Sequence, residues 1–148
     1  RLPWHQDDGL FWGIDRPPKL QIWTALDDIP EESGCVRVMP GTHHAGLTTP
    51  QGGTVPKRML AQAEADDRGV PLAARAGECL LLHNHVWHSS GQNQTQGRRR
   101  AFSVSYLHAE TRCRRKRRAP RQFRRLFLER GRANITIDQR RTWGQQER

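Results

Sequence analysis

Apolar residues occur along the chain in short runs, and residues that favour turns separate these runs. A run of this length between turn residues predicts a β-strand. We expect such strands at residues 20–26, 35–39, 78–83 and 101–107.

The spacing of apolar residues is helical in only two places, at residues 58–66 and 120–130. Residues 42–56 and 89–97 are rich in Gly, Thr, Pro, Asn and Gln, and we expect loops there. Short strands with few helices predict an all-β fold, built as an antiparallel sandwich or barrel.

The length of 148 residues is typical of one domain. No segment resembles a signal peptide or a transmembrane helix. The three cysteines are widely spaced and form no Cys-x-x-Cys pair, which argues against a thiolate zinc site and against a disulfide framework. These features favour a reducing compartment, and we expect a cytoplasmic protein.

Positive charge is concentrated in the last third of the chain. Residues 98–148 contain 17 Arg and Lys against 4 Asp and Glu, whereas residues 1–97 contain 8 against 11. The segment 112–118 is almost entirely basic, as in proteins that bind nucleic acid through phosphates. It contains no interleaved aromatic residues on which bases could stack, so nucleic acid is the less favoured partner. The basic segment is also compatible with an acidic or CoA-like substrate and with an anionic partner.

Histidines and one aspartate form the chemically most informative pattern. His5 and Asp7 are two residues apart, so on a strand both side chains face the same side and can bind one metal ion. His83, His85 and His88 form a second group far along the chain. A third ligand that arrives from a distant strand is typical of a two-histidine, one-carboxylate iron site.

The order of these and other motifs resembles the phytanoyl-CoA dioxygenase family of Fe(II)/2-oxoglutarate oxygenases. The resemblance covers about residues 3–130, and no single motif carries it. The matching motifs are His5-Gln6-Asp7, Ile22 to Asp28 with Trp23 and Leu26-Asp27, Glu32-Ser33-Gly34, Pro40-Gly41-Thr42-His43, and His88-Ser89-Ser90 followed by Asn93 and Arg99.

The resemblance implies a site as well as a family. Its metal ligands are His5, Asp7 and His88, which hold Fe(II) and leave room for 2-oxoglutarate and O₂. Arg99, eleven residues after His88, corresponds to the anchor for the distal carboxylate of 2-oxoglutarate, and a guanidinium suits that task better than an ammonium. Ser90 and Trp23 correspond to further contacts of the cosubstrate.

The implied activity is hydroxylation of a small organic substrate with release of succinate and CO₂. Family members that halogenate lack the carboxylate ligand, and Asp7 is present here. We expect no catalytic side chain beyond those of the iron centre.

The implied fold is a double-stranded β-helix, of the jelly-roll or cupin-like type, with minor helices. We expect a domain over residues 1–132 and a tail over residues 133–148. The first strand and the helices that precede it in the family have no counterpart here, so we expect the fold to be incomplete on that side.

Two other interpretations stay open. A cupin-type metal protein would use His83 and His85 together with a nearby Glu, and no suitable Glu follows them. The chain could also be a catalytically inactive fragment or binding domain of the same fold, whose basic segment binds an anion or nucleic acid.

Overall fold

A computed structural model describes residues 1–18, 20–115 and 121–123. Eight strands and two short α-helices form the described part. The strands are β1 (Leu2–Gln6), β2 (Leu20–Ala25), β3 (Val36–Met39), β4 (Gly53–Thr54), β5 (Val70–Leu72), β6 (Cys79–Leu82), β7 (Trp87–Ser90) and β8 (Ala101–Tyr106). The α-helices are α1 (Lys57–Gln62) and α2 (Ala65–Arg68), and short 3₁₀ helices lie at Leu10–Trp12, Glu31–Ser33 and Thr42–Ala45.

The strands form two antiparallel sheets. One sheet has five strands in the order β4-β1-β7-β3-β5, and the other has three in the order β6-β2-β8. The main core lies between them and joins Trp23, Ala25 and Leu82 of the smaller sheet to Val36 of the larger one. Two packed antiparallel sheets with few helices confirm the predicted jelly-roll class.

A second cluster of buried side chains covers the outer face of the larger sheet. Trp4, Met39 and Trp87 pack there under Val55 and the two α-helices. The indole Nε1 of Trp4 donates a hydrogen bond to the Asp66 carboxylate, with 2.7 Å between the two atoms. The strands β1 and β7 are thus held by packing on the outer face of the sheet, which helps to fix the backbone that carries the site.

The strands predicted from the sequence agree with β2, β3, β6 and β8 to within one or two residues. The predicted loop over residues 89–97 is wrong at its start, because Ser89 and Ser90 belong to β7. The loop predicted over residues 42–56 contains a 3₁₀ turn and β4.

The single helix predicted over residues 58–66 is two helices, α1 and α2. Glu64 lies between them with a φ of 49°, a left-handed conformation that interrupts helical hydrogen bonding.

The described residues test only part of what was predicted for the C-terminal part of the chain. The helix predicted over residues 120–130 and the domain boundary at residue 132 fall outside the described residues, except that 121–123 are described and lie in no helix or strand. Within the described residues, β8 pairs with β2 on one edge and with no strand on its other edge. No helix in the described ranges is long and apolar enough to cross a membrane.

Gly34 sets how closely the turn before β3 approaches the end of β7. Its φ is +76°, and a Cβ at this position would lie 2.6 Å from the carbonyl oxygen of Gly91. Gly41 has a similar φ of +80°, but nothing lies within 4 Å of its added Cβ. We therefore expect Gly34→Ala to lower the free energy of unfolding by about 3 kcal/mol, and Gly41→Ala by about 1 kcal/mol. Urea unfolding of both variants measures this, and equal losses would contradict the close approach.

Candidate metal centre

The structure brings His5, Asp7 and His88 together. His5 lies in β1 and is paired directly with His88 of β7, while Asp7 follows the last residue of β1. Each side chain offers one ligand atom, and these atoms lie within 4.8 Å of one another. No other group of three such side chains in the described ranges meets this condition.

Backbone carbonyls fix the orientation of both imidazoles. Nδ1 of His5 lies 2.7 Å from the carbonyl oxygen of Pro3, and Nδ1 of His88 lies 3.0 Å from that of Val86. A carbonyl oxygen only accepts hydrogen bonds, so each Nδ1 carries a proton and each Nε2 is the nitrogen left to bind a metal. This is the arrangement that histidine ligands of metals usually have.

Asp7 lies between the two free nitrogens. Its Oδ2 is 3.2 Å from Nε2 of His88, and its Oδ1 is 3.7 Å from Nε2 of His5. Burial opposes ionisation of this carboxyl, but the neighbouring His88, His5 and Gln21 together outweigh burial and lower its pKa. Burial and the neighbouring His88 lower the pKa of the His5 imidazole. The site therefore favours a carboxylate beside a neutral His5 imidazole.

The donor set fits a first-row divalent metal. Two imidazole nitrogens and one carboxylate oxygen are the ligands of the non-haem iron sites that leave open positions for other ligands. The imidazoles are already in the required tautomer, and Asp7 supplies the negative charge.

The neighbouring histidines have other partners. Nε2 of His85 lies 2.8 Å from the Asp8 carboxylate, and Nδ1 of His83 accepts a hydrogen bond from the backbone N–H of His85. They join no third ligand in the described part of the chain. The cupin-type interpretation therefore gains no support from the structure.

Two of the three residues expected to bind the cosubstrate lie on the inner side of the fold. Trp23 is buried in the core between the sheets. Ser90 follows His88 by two residues on β7, so both side chains face the same side. Arg99 is half-buried between the exposed Arg98 and Arg100. Their role as cosubstrate contacts stays a prediction.

Arg99 and Arg100 have different surroundings. Arg100 forms an ion pair with Asp27 at 2.7 Å on the surface and lowers the pKa of that carboxyl to about 2. Arg99 instead forms no ion pair with the described residues and is half-buried. Arg99 is thus the least exposed member of the basic run.

Sequence reasoning missed two buried glutamines near the site. Gln6 has no exposed surface. Its Nε2 donates hydrogen bonds to the carbonyl oxygens of Gly46 and His85. Its Oε1 accepts two hydrogen bonds from Thr48, one from the backbone N–H and one from the hydroxyl. It ties the loop after β3 and the loop before β7 to β1. Gln21 lies two residues before Trp23 on the inner face of β2. The alternation of β2 was the available signal for Gln21, whereas nothing local indicated the partners of Gln6.

The titration of His5 gives a direct check of the electrostatics. In the metal-free chain we expect its midpoint below 6.5, because burial and the charge of His88 disfavour the imidazolium. The unfolded chain protonates His5 near pH 6.5, so the contribution of His5 to stability falls as the pH drops from 6.5 to the folded pKa. NMR of the His5 ring protons measures the midpoint, and His88→Ala should raise it. A midpoint at or above 6.5 would contradict this picture.

Comparison with known proteins agrees with the geometry. The family described as "Phytanoyl-CoA dioxygenase (PhyH)" matches residues 1–101. Peroxisomal phytanoyl-CoA dioxygenase of Homo sapiens is 35% identical over 118 residues, which cover 74% of this chain and 34% of that protein. Phytanoyl-CoA dioxygenase domain-containing protein 1 of Danio rerio is 29% identical over 114 residues, covering 72% of this chain and 39% of that protein. The chain belongs to the phytanoyl-CoA dioxygenase family, as its motifs predicted.

Solved structures show the same fold. The epimerase SnoN in complex with Fe³⁺, α-ketoglutarate and nogalamycin RO is 27% identical, with a TM-score of 0.62, covering 77% of this chain and 44% of that chain. The non-haem monooxygenase ThoJ is 27% identical with a TM-score of 0.58, covering 77% of this chain and 42% of that chain. The chain spans about a third of the length of its peroxisomal relatives.

Proposed function

We propose that the chain is the iron-binding part of an Fe(II)- and 2-oxoglutarate-dependent dioxygenase that hydroxylates a small organic substrate. The observation that carries the proposal is the meeting of His5, Asp7 and His88, whose Nε2 atoms and carboxylate oxygens lie together while each Nδ1 is held by a backbone carbonyl. A fold match alone would not support an activity, because one fold hosts many functions.

The metal ligands in this proposal are His5, Asp7 and His88. The carbonyl oxygens of Pro3 and Val86 hold the imidazole Nδ1–H groups, so the rings keep their orientation when a metal binds. Bound iron supplies the redox chemistry with O₂ and 2-oxoglutarate, in which one oxygen atom enters succinate, the other enters the substrate, and CO₂ leaves. Sites of this donor set keep three positions for such ligands.

The cosubstrate is held by Arg99, Ser90 and Trp23 in this proposal. Arg99 is half-buried and forms no ion pair with the described residues, so its guanidinium is available for the distal carboxylate of 2-oxoglutarate. The hydroxyl of Ser90 can add a hydrogen bond, and Trp23 can provide an apolar wall. Arg98 and Arg100 lie in the segment before β8 and are both exposed, and Arg100 pairs with Asp27.

The proposal extends to partners, domain limits and compartment. The partner is a small-molecule substrate and not nucleic acid, since the basic segment has no interleaved aromatic residues on which bases could stack. The domain covers residues 1–132, followed by a tail at 133–148. We place the protein in the cytoplasm because its three thiols are unpaired; the mammalian relatives are named as peroxisomal proteins.

The test is succinate formation by the protein supplied with Fe(II), 2-oxoglutarate and oxygen. We expect succinate in step with the 2-oxoglutarate consumed, and its loss when a chelator removes iron or when Asp7 is replaced by Ala. Thr24→Val, on the outer face of β2, is the matched control and should form succinate like the unchanged protein. A protein that binds iron without forming succinate would favour the inactive binding domain instead.

A further inference from the structure

The 3₁₀ turn that follows β1 exposes two large apolar side chains. Leu10 is 70% exposed and Phe11 is 44% exposed. The turn is fixed to the loop before β4, because the backbone N–H groups of both residues donate hydrogen bonds to the carbonyl oxygens of Pro50 and Gln51. Neighbouring apolar groups that a fixed turn exposes to water are a feature of surfaces that contact a partner.

Three arginines from the segment after β8 lie beside this turn. Arg112, Arg114 and Arg115 are exposed, and none of them forms an ion pair with the described residues. The backbone N–H of Arg114 donates a hydrogen bond of 2.8 Å to the carbonyl oxygen of Gly13, which ends the turn. The side chain of Arg115 lies against Gly13, where an added Cβ would be 2.7 Å from its Cγ. The arginines and the two apolar residues therefore form one surface, which we call the turn surface.

The turn surface has an excess of positive charge. Of the acidic side chains near it, Glu110 is paired with Arg16 at 3.0 Å. The carboxylate of Asp15 accepts a hydrogen bond of 2.8 Å from the backbone N–H of Arg112, so one carboxylate faces three guanidinium groups. Residues 116–118 add three more basic residues to the sequence. This charge favours an anionic partner.

The apolar part of the turn surface indicates which kind of anionic partner fits. Leu10 is aliphatic, whereas proteins bind single-stranded nucleic acid by stacking its bases on aromatic rings. An anionic phospholipid bilayer presents negative headgroups at its surface and hydrocarbon just below them. Segments that bind at such a surface combine Lys or Arg with Leu, Phe and Trp. The turn surface combines arginines with Leu10 and Phe11, and Trp12 completes the turn.

We propose that the turn surface binds the face of an anionic phospholipid bilayer. The guanidinium groups of Arg112, Arg114 and Arg115 contact the headgroups, while Leu10 and Phe11 enter the boundary between headgroups and hydrocarbon. The contact is peripheral and needs no helix that crosses the membrane. This inference goes beyond the proposed function and does not depend on the metal site.

The test is co-sedimentation of the full chain with vesicles of phosphatidylcholine alone and with vesicles that also contain phosphatidylserine. We expect binding to the anionic vesicles and little binding to the neutral ones. A basic side chain near an anionic bilayer contributes about fivefold to binding, so Arg114→Gln with Arg115→Gln should weaken it by about 10-fold or more. Leu10→Ser should weaken it by at least about fivefold, because its apolar surface no longer leaves water.

The controls remove the same groups from other exposed positions. Arg58→Gln with Arg98→Gln lowers the net charge equally, and Leu81→Ser replaces a leucine that is 68% exposed on β6. Both should change binding little. Phe11→Ser provides the measurement if Leu10→Ser does not fold.

Three results would overturn the proposal. Equal weakening by the two pairs of arginine variants would show that net charge alone attracts the chain to the vesicles. Leu10→Ser and Phe11→Ser variants that bind like the unchanged protein would show that no apolar side chain enters the bilayer. Release from the vesicles by a single-stranded oligonucleotide or by inorganic phosphate, but not by chloride at the same ionic strength, would assign the surface to nucleic acid or to free phosphate instead.

Discussion

Replacing His88 by Ala is expected to weaken Fe(II) binding by at least about 100-fold. The loss of a direct ligand should exceed the 10- to 100-fold effects known for residues that only support ligands. His88 is buried, and its Nε2 lies 3.2 Å from the Asp7 carboxylate, so the replacement removes one of the three ligand atoms that the fold holds in place. Anaerobic titration with Fe(II), followed by competition with a chelator, measures the affinity.

The matched control for this variant is His83→Ala. His83 belongs to the same group of histidines in the sequence, but it joins no metal-binding group in the described chain. Its replacement should leave Fe(II) affinity unchanged. The assignment of His88 would be wrong if His83→Ala or His85→Ala weakened binding and His88→Ala did not.

Replacing Arg99 by Ala is expected to raise the 2-oxoglutarate concentration needed for half-maximal succinate formation by about 100-fold. Truncating one partner of a buried, hydrogen-bonded charge pair costs about 2–5 kcal/mol, since it leaves the other charge unpaired. A 100-fold change corresponds to about 2.8 kcal/mol. Succinate formation against 2-oxoglutarate concentration measures the effect.

The two flanking arginines provide the controls. Arg98 is exposed. Arg100 donates hydrogen bonds to the Asp27 carboxylate from its guanidinium and from its backbone N–H. Arg98→Ala and Arg100→Ala should therefore change the 2-oxoglutarate requirement little. An Arg99 variant with unchanged requirement would remove the main support for 2-oxoglutarate and leave only a metal site.

The sequence predicted those parts of the fold whose signal is local. Strand β2 follows two prolines and ends at Asp27-Asp28, and β3 ends at Pro40-Gly41, so turn residues marked them. Strand β5 was not predicted, because it is three residues long and contains Pro71. It lies at the edge of the larger sheet, where a proline is tolerated since no further strand needs its N–H.

The helical segment after β4 illustrates a different limit. Residues 58–66 have helical spacing, and the structure has helices there, but Glu64 adopts a left-handed conformation between them. This conformation lets α2 follow the outer face of the larger sheet, where Asp66 receives the hydrogen bond of Trp4. Tertiary packing thus determines where the helix is interrupted, and no residue in the segment predicts the interruption.

The metal site, like the fold, could be predicted from the sequence only in part. The spacing of His5 and Asp7 predicts a shared face, and the family order of motifs selects His88 from three candidates. The sequence could not show that Pro3 and Val86 hold the imidazoles, because backbone carbonyls carry no sequence signal.

The binding of 2-oxoglutarate to the chain with and without Fe(II) tests the central claim most directly. If His5, Asp7 and His88 hold an iron that the cosubstrate shares with Arg99, anaerobic calorimetry should find one equivalent of 2-oxoglutarate bound in the presence of Fe(II). Without the metal, the affinity should fall steeply, since the anchor at Arg99 alone remains. Binding that is equally tight with and without Fe(II), or that is absent from the iron-loaded chain, would contradict the account.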